Sequence, residues 1–167
     1  MNARRSRPKA VFGNPRLEEK VHDPYREREK YAEPTCCSGC GAVYRKGRWQ
    51  WLEDIPDDAQ RVRCPACRRI DDRYPAGEII VSGTYAENHA DEILRLIRNT
   101  EKAESGEHPL HRIIDIRHDE NITTITTTDV HLPSRIGRAL KGACQGELKT
   151  HYDKDGSFVR VTWQREQ

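Results

Sequence analysis

Cys37-Ser38-Gly39-Cys40-Gly41 and Cys64-Pro65-Ala66-Cys67 are two C-x2-C pairs, with 23 residues between Cys40 and Cys64. Two residues between cysteines let both thiolates point at one ion from a tight turn, and two such turns close a tetrahedron of the structural zinc type. Gly39 and Gly41 suit that turn. With Cys37, Cys40, Cys64 and Cys67 all supplying sulfur, no position is left open for water, so a bound Zn2+ is expected to hold the fold together and not to catalyse. The competing chemistry is thiol redox. It needs one pair at the N-terminus of a helix that follows a strand, and the sequence around neither pair predicts that setting. Cys36 adjoins Cys37 and could take its place with C-x3-C spacing, although C-x2-C-G makes the better turn. Cys144 stands at the end of an apolar stripe and reads as a buried thiol.

Cations surround the cysteines. Arg45, Lys46, Arg48, Arg61, Arg63, Arg68, Arg69 and Arg73 alternate with Tyr44, Trp49 and Trp51. Guanidinium beside aromatic rings is the chemistry of pairing with phosphate while stacking on a base, which makes Arg45, Arg48, Trp49, Arg63, Arg68 and Arg69 candidates for nucleic-acid contact. Arg135 and Arg138, away from the apolar stripe of a later helix, extend the set. Glu53, Asp54, Asp57, Asp58, Asp71 and Asp72 offer the alternative that these arginines are neutralised within the protein. His89, His108, His111, His118 and His131 are not expected to form a second metal site, because Pro109 interrupts the helical spacing that His108 and His111 would need. No Gly-rich phosphate loop, G-x-S-x-G turn or H-E-x-x-H motif is present, so an enzyme is not expected.

These groups must be positioned by 167 residues, of which 35% are hydrophobic and 34% charged. That is fewer apolar residues and more charge than globular domains carry, so part of the chain should lie outside any core. Residues 1–33 fit that part. Arg4, Arg5, Arg7, Lys9 and Arg16 precede any acidic residue there, and a disordered basic arm is expected. No apolar run follows these cations and none elsewhere approaches the roughly 20 residues that cross a bilayer, so no signal peptide and no membrane association are expected, and the expected place is the cytoplasm. The formal charge of +2 sets no nucleic-acid preference for the whole chain; any basic patch must be local.

Residues 34–74 hold the cysteines with little apolar periodicity and read as a zinc ribbon held by its metal, with a hairpin between the pairs. Residues 75–167 read as a separate α+β domain. Glu78–Tyr85 predicts a strand, and Ala90, Ile93, Leu94 and Ile97 predict one helix from Ala86 to about Glu104. Arg112–His118 and Ile122–Thr128 predict a hairpin, and Leu132, Ile136, Ala139, Leu140 and Ala143 a second helix behind Pro133. Alternation of Leu148, Thr150 and Tyr152, then of Val159, Val161 and Trp163, around Asp155-Gly156 predicts a closing hairpin. The order matches a ferredoxin-like βαββαβ layout with one extra C-terminal strand, two helices on one face and the other face polar and basic.

On Cys37–Tyr44, Cys64–Ile70, Tyr74–Gly77, His108–Leu110 and Thr127–Leu140 the chain resembles a family of small bacterial zinc-ribbon proteins, distantly similar to the ribosome-export adapter called nonsense-mediated decay protein three. The resemblance spans residues 34–165 and implies zinc on Cys37, Cys40, Cys64 and Cys67 and a link to ribosomal RNA or the ribosome. The expectation is therefore a non-enzymatic, ribosome-associated RNA-binding protein. A zinc-ribbon module that binds a protein partner is the alternative.

Overall fold

A computed structural model describes residues 23–25 and 30–167. Most of the expected basic arm lies outside the described residues. The fold is α+β, with two sheets and four helices among the described residues. Each sheet carries its own buried cluster.

The first sheet is assembled from β1 (Thr35–Cys37), β2 (Val43–Arg45), β3 (Arg48–Gln50) and β4 (Gln60–Val62), in the order β3-β2-β1-β4. Strands this short have little stability of their own. Their register brings the two cysteine turns together: β4 runs parallel to β1 with Cys37 opposite Val62, so the ends of both strands deliver a cysteine turn to the same side of the sheet. Helix α1 (Pro65–Asp72) begins directly after the second of these ends. Cys64 caps it, Pro65 sits where a missing N–H costs nothing, and Arg73 ends it in the left-handed region at φ 50°. Sequence periodicity does not reveal this helix, because eight residues with so few aliphatics carry no periodic signal.

The second sheet contains β5 (Gly77–Ser82), β6 (Ile113–Asp119), β7 (Ile122–Thr127), β8 (Glu147–Tyr152) and β9 (Val159–Gln164). Helices α3 (Ala90–Glu107) and α4 (Leu132–Cys144) cover one face. The single helix expected from Ala86 is in fact α2 (Thr84–Asn88) and α3, parted at His89, whose backbone N–H and ring Nδ1 both meet the Tyr85 carbonyl, at 3.0 and 2.9 Å. The strand order is β6-β7-β5-β9-β8, with β9 parallel to β5. An all-antiparallel split-βαβ sheet with an added edge strand is not this arrangement: the last strand is inserted between β5 and β8. Burial explains the choice. Val159, Val161 and Trp163 of β9 are fully buried, whereas β8 offers only Leu148 to the core, so β9 takes the centre and β8 the edge.

The uncovered face is polar, as expected, but its charges are paired: Arg160 with Glu78, Arg117 with Asp115 at 3.0 Å, and Lys149 with Glu147 at 2.9 Å. At the end of β5, Gly83 adopts φ +101° where a Cβ would lie 2.2 Å from the Arg165 carbonyl oxygen. Gly83→Ala combines backbone strain with loss of the bonds that tie Arg165, just after β9, to Ser82 of β5 and Tyr85 of α2, and is expected to cost about 2 kcal/mol or more, read as a lower urea midpoint.

Candidate metal centre

The four cysteine sulfurs of Cys37, Cys40, Cys64 and Cys67 lie within 4.8 Å of one another. Among the described residues this is the one group of three or more His, Cys, Asp or Glu ligand atoms close enough to share an ion. Across the two turns, Cys37 Sγ lies 3.6 Å from Cys67 Sγ, and Cys40 Sγ lies 3.8 Å from Cys64 Sγ. A tetrahedral ion bonded to thiolates at about 2.3 Å separates its sulfurs by about 3.8 Å. The two cross-turn separations are of that size, and four sulfurs this close together could hold a metal ion.

Backbone donors converge on the sulfurs. Cys37 Sγ accepts from the N–H groups of Gly39 at 3.3 Å, Cys40 at 3.5 Å and Cys64 at 3.2 Å, and Cys64 Sγ accepts from Cys67 N–H at 3.4 Å. These bonds favour thiolate over thiol. Burial pushes the Cys37 thiol up, but the backbone N–H groups outweigh it and leave it below the ordinary thiol range. The Cys40 thiol is lowered to about 5, first by the hydrogen bond it receives from Cys64. Cys64 moves the opposite way, raised by donating that bond and by burial. The protons that remain on the cluster are those a metal ion displaces on binding.

Cys36 is fully buried but stands outside the cluster, its sulfur against the carbonyls of Cys37 and Gly41 and the guanidinium of Arg61. Of the two neighbours, Cys37 is the one whose sulfur lies in the cluster. Cys36→Ser is accordingly expected to leave metal content unchanged, as checked by metal analysis of the purified variant. Cys144 is buried in the other core, as expected.

One setting differs from expectation. Cys64 and Cys67 do sit at the N-terminus of a helix after a strand, the position that sequence alone gave to neither pair. What separates this site from a redox pair is the second turn, which faces the first across a sulfur contact.

The structure also brings in a residue the sequence did not mark. Arg112, just before β6, reaches across from the second sheet and places Nη2 3.1 Å from Cys67 Sγ and 3.7 Å from Cys64 Sγ. Nothing in a sequence links residues this far apart; only the fold shows it.

The candidate nucleic-acid residues do not form one patch. Trp49 is only 9% exposed and packs edge-on against Tyr31 and Tyr44. Arg69 is 4% exposed, with its guanidinium on Asp23 and the Tyr74 carbonyl and over the Tyr25 ring. Neither offers a free face. Arg63 pairs with Asp71 at 2.6 Å, and Arg68 bonds the Tyr25 carbonyl at 3.2 Å and the Tyr31 hydroxyl at 3.4 Å. Arg45 and Arg48 are exposed at the tip of the β2–β3 hairpin. Arg135, 3.7 Å from Glu104, and Arg138 lie on the exposed side of α4.

Histidines that the spacing left unconnected converge from loops. His111 stacks obliquely between His108 and His131, its Nδ1 3.0 Å from Glu104 and its Nε2 3.6 Å from Asp129, beside a cavity of about 490 Å³. Glu104 lies below the usual carboxylate range; burial acts to raise it, but the His111 hydrogen bond and the nearby Arg135 and histidine charges outweigh that. Burial raises Asp129. No helix of the described residues is long and apolar enough to cross a membrane. No protein-family model, curated protein or solved structure matches the chain.

Proposed function

We propose that the chain is a non-enzymatic, zinc-stabilised RNA-binding protein of the cytoplasm that works on the ribosome. The single observation that supports the zinc part is the sulfur geometry: four cysteine sulfurs within 4.8 Å of one another, with backbone donors to Cys37 and Cys64. Zinc supplies no reaction here. With four sulfurs and no water position, it cross-links the end of β1, the β1–β2 turn and the start of α1.

The RNA part draws on the resemblance to the zinc-ribbon family and on the exposed cations Arg45, Lys46 and Arg48, which the metal-held sheet projects on one hairpin. Phosphate contact at that hairpin is sequence-independent positioning, since Trp49 is buried and does not stack on a base. Binding of this kind weakens steeply with salt. Zinc-loaded protein is expected to co-sediment with ribosomes at low salt, to dissociate as salt rises, and to lose the association after nuclease treatment. Arg45→Ala/Arg48→Ala should weaken it at every salt concentration. No association at low salt would reject the RNA reading.

The paired charges on the open sheet face favour a protein partner as the second reading. Association with ribosomes that survives nuclease and varies little with salt would select it.

A further inference from the structure

We propose that Arg112 is the cation of the metal centre, supplied by the second unit, so that retaining the metal and docking the two units are one event. The inference rests on the zinc reading of the four cysteines and adds the regulation of that site.

The four sulfurs are not treated alike. Cys37 receives three backbone N–H groups and Cys64 one, whereas the donor to Cys67 Sγ from outside the cysteine turns is the Arg112 guanidinium, at 3.1 Å. A divalent ion with four thiolates leaves about two negative charges in a buried place, and a guanidinium is the side chain best suited to share them by hydrogen bonds. Arg112 is half-buried, and its buried Nε has no hydrogen-bond partner among the described residues. Such a group is costly to bury unless a strong opposite charge faces it. The thiolates are that charge.

Arg112 is fixed from behind by the second unit. Its backbone N–H donates to Thr128 Oγ1 at 2.9 Å, its carbonyl accepts from Thr128 N–H at 2.9 Å, and Thr128 Oγ1 donates to the Leu110 carbonyl at 2.5 Å. Leu110 meanwhile packs on the cluster that holds Tyr44, Trp49 and the cysteines. The segment 110–112 is thus clamped between Thr128 on one side and the sulfur site on the other. Losing the metal removes the charge that holds Arg112 and frees the segment on that side, while β5 and β9 keep a buried cluster of their own.

The test uses the full zinc-loaded chain as wild type, Arg112→Met and Arg112→Lys. Three readings are taken: zinc transfer to a chelating dye, the order in which cysteines are alkylated, and amide exchange at residues 110–113. Removing a partner of a metal ligand typically costs about 10- to 100-fold in metal affinity. Arg112→Met is expected to release zinc faster by that factor, with Cys67 alkylated first, and Arg112→Lys to recover part of the loss. Chelator treatment of the wild type is expected to speed exchange at 110–113 while β5 and β9 stay protected. A folded Arg112→Met that releases zinc at the wild-type rate with an unchanged alkylation order would overturn the proposal. So would a chelated wild type whose 110–113 amides exchange as before, a result that counts even if the variant does not fold. Wild type that holds no metal would overturn the metal reading itself; zinc held normally beside either of those results overturns only the role of Arg112.

Discussion

Cys64→Ser is expected to lose the bound metal and with it the folded state of residues 34–74, while the sheet of β5 to β9 keeps its structure. Cys64 does three things at once: its sulfur is one of the four clustered candidate ligands, it accepts the Cys67 N–H as the cap of α1, and its own N–H bonds Cys37 Sγ. Serine retains the capping ability but not the soft thiolate ligand. The cluster behind it is small, built from Cys37, Ala42, Tyr44, Trp49, Cys64, Ala66 and Cys67, and three of those seven are the site itself. A unit with so little apolar burial is expected to need a metal, and structural zinc supplies about 10–16 kcal/mol in small metal-folded domains. The check is metal analysis together with a two-dimensional amide spectrum: signals of 34–74 collapse toward random-coil positions and those of β5, β7 and β9 stay dispersed. Retained metal with dispersed signals throughout would show that Cys64 is not a ligand.

The second large effect belongs to the other core. Trp163 is fully buried near the end of β9, packs edge-on to Tyr85 at 6.4 Å, and donates its indole N–H to the Gln145 carbonyl at 2.7 Å, closing the end of α4 onto the sheet. Trp163→Ala removes the largest side chain of that core and is expected to cost about 3–5 kcal/mol, a large part of the roughly 5–15 kcal/mol by which domains are stable. Trp163→Phe keeps most of the volume and loses the hydrogen bond, so it should cost clearly less. Urea unfolding of both variants, with zinc present throughout, separates the two terms; equal midpoints for wild type and Trp163→Ala would contradict this packing.

The residues most legible in the sequence are those whose chemistry is local. Two C-x2-C pairs point to a sulfur cluster because the turn that could aim two sulfurs at one ion is contained in five residues, and the structure brings the four sulfurs together. Alternation in β9 and the 3.6-residue stripe of α4 are legible for the same reason. Helix α1 is not, because its eight residues fold as a helix around the site that begins it: Cys64 as cap and Pro65 at the first turn do what periodicity does elsewhere. The place of β9 between β5 and β8 is hidden because chain order does not state which of two hairpin strands goes inward; the burial of Val159, Val161 and Trp163 decides it. Trp49 and Arg69 illustrate the opposite error. An aromatic or an arginine near a basic cluster reads as a surface contact, yet here Tyr25, Tyr31, Tyr44 and Tyr74 enclose them, and those partners come from four separate stretches of chain. Arg112 and the converging His108, His111 and His131 are invisible on the same ground.

The proposed binding of one zinc ion by four thiolates underlies both the account of residues 34–74 and the role given to Arg112. X-ray absorption of the purified protein, with metal content measured on the same sample, tests this most directly. The expected result is one zinc per chain in a shell of four sulfurs at about 2.3 Å, with no nitrogen or oxygen ligand. A shell with a light-atom ligand, a chain free of metal, or cysteines recovered as Cys37–Cys40 or Cys64–Cys67 disulfides would contradict it.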